Sequence, residues 1–487
     1  MAEQSLKDKT VKGVVWSAVE RFSVQGIQFL VTLVIARILD PKDFGLVGML
    51  TIFLAVAQSL IDSGFSQALI RKQDRSEEDN CTVFYFNIVV SGLLYLLLYA
   101  LAPFVAKFYN EPQLTDLMRV ICIIIIINSF AVVQRALYTA TINFKTQAKA
   151  TFTSALVSGI IGIGLAMKGF GVWTLAWQQI IRAALNTILL WWYSSWRPRL
   201  IYSWQSFRDL FKFGSNLLLS GLLDTIYSNI YQITIGKIFS ATSLGYFTQA
   251  KQIAALPSSN IQGIIGSVTY PVLSSLQNED ERLAINYRKL LRVSAFIVFP
   301  LMCGLAAVSY PLINVLLGEK WNFTATLLIP ISFAMMWYPI HAINLNLLKV
   351  KGRSDLFLRL EIIKKILGVS MLAATFSFGL IVMCCGLVIN SFIALFINTY
   401  YTGKLINVGF VKQMKDLSGV LLLSLSMAAI VYTITCFITN IYAQLVVGII
   451  AGATYFTTMC FVLKLKEVEF LKSLTELSQV NIHSSSD

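Results

Sequence analysis

The chain predicts an all-α, polytopic membrane protein with about fourteen transmembrane helices, and three observations predict it. Of 487 residues, 56% are hydrophobic and 13% charged, where soluble domains carry about 25% charged residues. Apolar runs of about 20 residues, the length that spans a bilayer, recur from end to end. Lysines and arginines fall almost entirely in every second gap between those runs.

The spans follow in order. Runs at 14–36, 44–66, 81–106, 114–135, 150–168 and 172–193 form a first set of six. A second set lies at 212–236, 244–277, 290–317, 325–348, 357–378 and 380–402. The eighth run is too long for one straight span, and Pro257 and Pro271 are expected to kink or end it. Six prolines (257, 271, 300, 311, 330 and 339) crowd spans 8–10, which should bend more readily than the rest. Two last runs, 417–438 and 441–463, sit in a stretch with no charge between Asp416 and Lys464.

The basic residues orient these spans. Of 39, seven lie in odd gaps: Arg37, Lys42, Lys107, Arg119, Lys168, Lys237 and Lys320. Five lie within spans: Arg21, Arg182, Lys251, Lys364 and Lys365. The remaining 27 occupy the two ends and the even gaps, from Lys7, Lys9 and Lys12 to Lys464, Lys466 and Lys472. The positive-inside rule then places both termini in the cytoplasm. The net charge of +14 is thereby spread over eight short segments rather than one surface, which excludes nucleic acid as a partner.

The first run is too long for a signal-peptide core, and no small-residue cleavage pattern follows it. Seven cysteines lie mostly within spans without CxxC spacing and read as small core residues rather than metal ligands. Asn80-Cys-Thr and Asn322-Phe-Thr are chance matches to a sequon. Gaps of at most about 20 residues leave no room for a soluble domain.

An internal repeat organises the two sets. Ile35-Ala36-Arg37-Ile38-Leu39 matches Ile235-Gly236-Lys237-Ile238-Phe239, and Gly45-Leu46 matches Gly245-Tyr246, in a register of 200 residues. Lys145-Thr146 and Phe170-Gly171 echo Arg353-Ser354 and Phe378-Gly379 at 208. Six is even, so the copies point the same way across the membrane. The expected organisation is an N-terminal lobe (1–200), a C-terminal lobe (201–410) around a central cleft, two further spans (411–465) and a cytoplasmic tail (466–487).

Charges inside spans mark candidate sites. The five basic residues, with Glu20, Asp62, Asp224 and Glu361, would cost on the order of 20–30 kcal/mol facing lipid, at about 2.5–3.5 each. Most must therefore line water, pair, or snorkel. Asp62 lies near a span end and can snorkel. Glu361, Lys364 and Lys365 share one helix face at i, i+3, i+4 and form either a self-paired cluster or a substrate contact. Arg182 and Asp224 fall near mid-span, and Lys251 about 10 Å deep at 1.5 Å per residue. The hypothesis is that Arg21, Arg182 and Lys251 make the cleft positive for an anionic group such as a pyrophosphate. The alternative is interhelical ion pairing such as Arg21–Asp224. Glu20 or Asp224 could carry a coupling proton, since burial favours the neutral carboxyl.

Gly13-Val-Val-Trp16-Ser17, then Ala36-Arg37-Ile-Leu39-Asp40-Pro41-Lys-Asp43-Phe44-Gly45, then Asp62-Ser-Gly64-Phe-Ser-Gln-Ala68-Leu69-Ile70 resemble the N-terminal signature of bacterial polysaccharide exporters. These are the oligosaccharide flippases of the superfamily that includes multidrug antiporters and the lipid II flippase. Locally the signature is structural: Asp40-Pro41 turns the chain, Asp43 can cap the second helix, and Gly45 permits close packing.

The resemblance implies two six-helix lobes around a cleft open alternately to either side of the inner membrane. It also implies an oligosaccharide substrate carried on undecaprenyl pyrophosphate, held by cationic residues in the helices of Arg21 and Lys251. Lysine in place of arginine would weaken two-pronged phosphate recognition. Spans 13 and 14, with Gly448 and Gly452, would suit a groove for the prenyl tail. Expected partners are lipid-linked oligosaccharide and membrane lipids, with polysaccharide polymerase and glycosyltransferases as candidate proteins. No cofactor or metal is expected.

Two other classes bear comparison. A polymerase or ligase would need acid–base residues converging on a sizeable external loop, and His341 and His483 are poor material for that. A drug or cation antiporter would favour an acidic cleft over one with Arg21, Arg182 and Lys251.

Overall fold

The computed structural model describes residues 22–62, 65–72 and 74–464. Helices follow one another with short connections: α1 (Phe22–Ile38), α2 (Pro41–Asp62), α3 (Phe65–Arg71), α4 (Glu77–Tyr109), α5 (Leu114–Ile121), α6 (Ile123–Ser129), α7 (Val132–Ala140), α8 (Phe144–Met167), α9 (Val172–Tyr193) and α10 (Trp204–Ile238). They continue as α11 (Ala241–Ser275), α12 (Asp280–Ala307), α13 (Ser309–Leu316), α14 (Asn322–Met335), α15 (Tyr338–Val350), α16 (Ser354–Thr375), α17 (Leu380–Ile406), α18 (Phe410–Cys436) and α19 (Ile441–Val462). Among the described residues, each apolar run coincides with one helix or a broken succession of helices.

Among the described residues, eight helical stretches are long and apolar enough to cross a bilayer, or up to nine with one bent pair counted. Apolar side chains such as Leu93, Leu96 and Phe104 on α4, and Val446, Ile449 and Ile450 on α19, face outward. Such surfaces are met by lipid, and the protein is a multi-pass membrane protein. Helices α9, α10, α11 and α16 fall outside the group of eight. They are the helices with polar centres, holding Arg182, Asp224, Lys251 and the Glu361–Lys364–Lys365 cluster respectively.

Local chemistry explains the helix starts. Pro41 opens α2, and the Asp43 carboxylate accepts from the Asp40 backbone N–H at 3.2 Å. Asp43 thus caps from inside the first turn. Ser76 and Asp79 form a reciprocal capping box on α4, and fully buried Asp79 also receives Lys72 at 2.7 Å.

Breaks have identifiable causes too. Span 4 is divided into α5, α6 and α7, with a bend of 43° before Val132. Carbonyls freed near that bend are taken by α9: Trp191 Nε1 donates to Phe130 O at 2.8 Å and Thr187 Oγ1 to Ile127 O at 3.2 Å. Backbone polar groups at membrane depth need such partners. Spans 9 and 10 break at Val308 and at Met336–Trp337, just ahead of Pro311 and Pro339. Of the two outcomes expected for span 8, a kink or an end, the second is overturned, because α11 is one 35-residue helix and neither Pro257 nor Pro271 ends it.

The chain divides into two compact units, Met1–Gly245 and Tyr246–Asp487. In the first, α8 packs on α9, α10 lies along α2, and α4 contacts α5 and α6. A Cβ on Gly45 would overlap the carbonyl oxygen of Ala241, and one on Gly245 would overlap that of Pro41. Pro41 and Ala241 are the first residues of α2 and α11. In the second unit, α12 packs along α18, α14 on α17, and α18 on α19. Gly448 and Gly452 let α19 approach Val431 and Met427 of α18.

Candidate functional site

Arg182 is the best-defined intramembrane cation. It lies mid-way along α9, half-buried, and α9 is anchored to the span 4 break through Thr187 and Trp191. With the Gln28 amide oxygen turned toward it, both terminal guanidinium nitrogens donate to that single oxygen. Gln28 belongs to α1, so the contact fixes the guanidinium between two spans. Helix α7, which packs against α9, carries a second guanidinium, Arg135. Two cations on adjoining helices repel, and a polyanion between them would be stabilised by both.

The other predicted residues are placed as follows. Glu20 and Arg21 lie outside the described residues, and so does the expected Arg21–Asp224 pair. Asp62 is the last residue of α2. Asp224 is exposed on α10, where its backbone carbonyl accepts from Ser228 Oγ at 2.6 Å. Lys251 is half-buried on α11, two turns before Pro257. Arg182 belongs to the first unit and Lys251 to the second. On α16, Lys364 pairs with Glu361 at 2.5 Å, as the self-paired reading expects, and Lys365 is half-buried.

Sequence reasoning passed over three polar constellations. Arg135 counts there as a loop charge, yet it lies in the first turn of α7, the last piece of the broken span 4, and α7 packs against α9. In the second unit, His341 of α15 contacts Ser391 and Asn398 of α17. Deeper in the same unit, the Gln413 amide nitrogen of α18, with two hydrogens to give, lies within hydrogen-bond distance of Tyr287 Oη (3.0 Å), Asn344 Oδ1 (3.1 Å) and Thr402 Oγ1 (3.0 Å). Tyr287 in turn donates to Asn344 at 2.8 Å. An amide or imidazole interrupting an apolar run is the signal that marks these residues.

Residues 34–326 match the model of a family described as polysaccharide biosynthesis protein. The chain is 26% identical over 355 residues to the teichuronic acid biosynthesis protein TuaB of Bacillus subtilis, covering 72% of this chain and 73% of that one. It is 25% identical over 369 residues to the lipopolysaccharide biosynthesis protein WzxC of Escherichia coli, covering 74% of each. Among solved structures, the lipid II flippase MurJ in an inward closed conformation shares the fold, with a TM-score of 0.75 at 14% identity, covering 93% of this chain and 100% of that one.

Proposed function

We propose, from the premise that the chain belongs to the polysaccharide biosynthesis protein family, that it is a flippase. It moves an oligosaccharide repeat unit, linked to undecaprenyl pyrophosphate, across the bacterial inner membrane for surface polysaccharide synthesis. Translocation proceeds by alternating access, without making or breaking covalent bonds. Both termini are cytoplasmic, as the distribution of Lys and Arg supports. The 200-residue repeat supports two lobes of six spans, with spans 13 and 14 added at the end.

One observation carries the reading: a guanidinium is fixed by Gln28 in the middle of α9, and the helix packed beside it, α7, carries a second guanidinium. A diphosphate is the headgroup such a centre favours, because it offers several anionic oxygens to planar donors. Arg21 and Lys251, the other cations of the sequence reading, are proposed as further contributors of positive charge within their own spans. Polysaccharide polymerase and glycosyltransferases are the proposed protein partners.

The test is reconstitution in liposomes with fluorescently labelled lipid-linked oligosaccharide in one leaflet. Label appears in the opposite leaflet at a rate proportional to protein. A rate no faster than in protein-free liposomes sinks the reading.

A further inference from the structure

In the second unit, α15, α16 and α17 gather a histidine, a lysine, a glutamate and two neutral polar side chains. Helices α15 and α17 lie in stretches long and apolar enough to span the membrane. His341 sits between two residues of α17. Its Nε2 is 3.1 Å from Ser391 Oγ, and its Nδ1 is 3.3 Å from Asn398 Nδ2.

Hydrogen-bond bookkeeping fixes the state of the ring. The Ser391 hydroxyl donates to the Ala334 carbonyl at 3.0 Å, so toward the ring it accepts. Nε2 therefore carries the proton, and Nδ1 accepts from the Asn398 amide nitrogen. That is a neutral ring in one tautomer. The Asn398 amide oxygen, meanwhile, is buried without a hydrogen-bond partner among the described residues. A protonated ring would present Nδ1–H in the same direction. A half-turn of the Asn398 amide would bring its idle oxygen to that N–H, so both charge states find complementary partners at one site.

Charged neighbours select between the states. Helix α16, packed against α15, carries Lys364, a cation that would oppose a second positive charge on the ring. Lys364 is itself held by Glu361, whose carboxylate favours that charge. From its own helix the ring meets Tyr338, with centroids 6.5 Å apart. Helix α12, packed against α15, presents Tyr287, bonded to Asn344 one turn along. Helix α17 contributes the neutral Ser391 and Asn398.

We propose that His341 is a proton-binding site of the second unit, its two states read by the two ends of the Asn398 amide and biased by the Lys364–Glu361 pair. Its purpose, coupling proton movement to substrate movement, rests on the flippase reading, whereas the site itself stands apart from it.

The experiment uses the full chain in phosphatidylethanolamine–phosphatidylglycerol nanodiscs, with ¹⁵N-labelled histidine. His341→Gln assigns the resonance, since the chain has 2 histidines. Wild type is expected to show the Nε2–H tautomer at neutral pH. In Lys364→Met the protonated fraction near pH 5 should rise severalfold, within the range histidine normally spans. Asn398→Leu, which offers no oxygen, should abolish that gain. An Nδ1–H tautomer in wild type, or a ring that stays neutral in Lys364→Met, overturns the site. In proteoliposomes, a pH gradient should change wild-type flipping by about tenfold, and His341→Gln should remove that response. A gradient response that survives His341→Gln overturns the coupling. Absence of wild-type flipping under every gradient sinks the flippase reading and leaves the spectra interpretable.

Discussion

Gly45 and Gly245, 200 residues apart, make the same contact in both directions: each lies against the carbonyl oxygen of the other copy's first helical residue, Ala241 for Gly45 and Pro41 for Gly245. Such reciprocity is the mark of a local two-fold relation. It gives the sequence repeat a physical meaning, since duplicated helix starts pack as equivalents.

Any side chain there must force the backbones apart. Gly45→Ala and Gly245→Ala should each destabilise the protein by about 1–3 kcal/mol. Once the helices are separated, the second methyl adds little, so the double variant should cost less than the sum. Thermal unfolding of the four proteins in detergent checks this, and strict additivity would refute the shared contact.

Arg182 is predicted to act through charge and geometry together. Arg182→Gln should reduce flipping by about tenfold or more at normal protein levels, the loss of a charge-assisted pair of hydrogen bonds to phosphate. Arg182→Lys keeps the charge but cannot donate from two nitrogens to Gln28, and should fall between the two. Initial rates in proteoliposomes, normalised to inserted protein, distinguish the three.

Arg288 and Asp416 form a two-pronged pair, with both N–O distances at 2.6 Å. The partners differ in exposure: the Arg288 side chain is 41% exposed and that of Asp416 only 7%. Removing the arginine strands a buried carboxylate, so Arg288→Gln should cost about 1–3 kcal/mol. Asp416→Asn leaves a hydrated guanidinium and should cost under about 1 kcal/mol. Equal losses in unfolding measurements would contradict the asymmetry.

Asp355 lies ahead of the apolar run of α16, and its carboxyl is held down at about 2 by hydrogen bonds from Arg353. A depressed folded value means that the pairing contributes above the ordinary value of 3.8 and is lost as pH falls toward about 2. Arg353→Ala should return the carboxyl to its ordinary range, which a ¹³C titration of labelled aspartate reads directly. An unchanged titration would show that the backbone amides, not the arginine, hold the charge.

Much of this was legible in the residue string, for physical reasons. Bilayer thickness dictates run length, so among the described residues the apolar runs fall on helices, single or broken. The Glu361–Lys364 pair follows from helical spacing alone, because partners three residues apart share a face. What escaped depends on distant partners. The interruption of span 4 is supported by Thr187 and Trp191, 60 and 61 residues from the carbonyls they bind. His341 looks inert as an isolated imidazole in an apolar run, and its chemistry comes from Ser391 and Asn398, 50 and 57 residues away. Pro257 and Pro271 read as breakers, but membrane helices absorb proline when neighbours satisfy the freed carbonyls.

The Gln413 amide gives the last two helices a standing their plain composition hides. Tyr287, Thr402 and Gln413 have no exposure to water, and Asn344 has 1%. Cutting the chain after Ile406 would therefore strand a phenol, an amide and a hydroxyl in a hole no solvent could fill comfortably. A shorter descendant of this protein could arise only by trading all three for hydrocarbon in concert, so the C-terminal pair is a keystone of its unit and not an appendix.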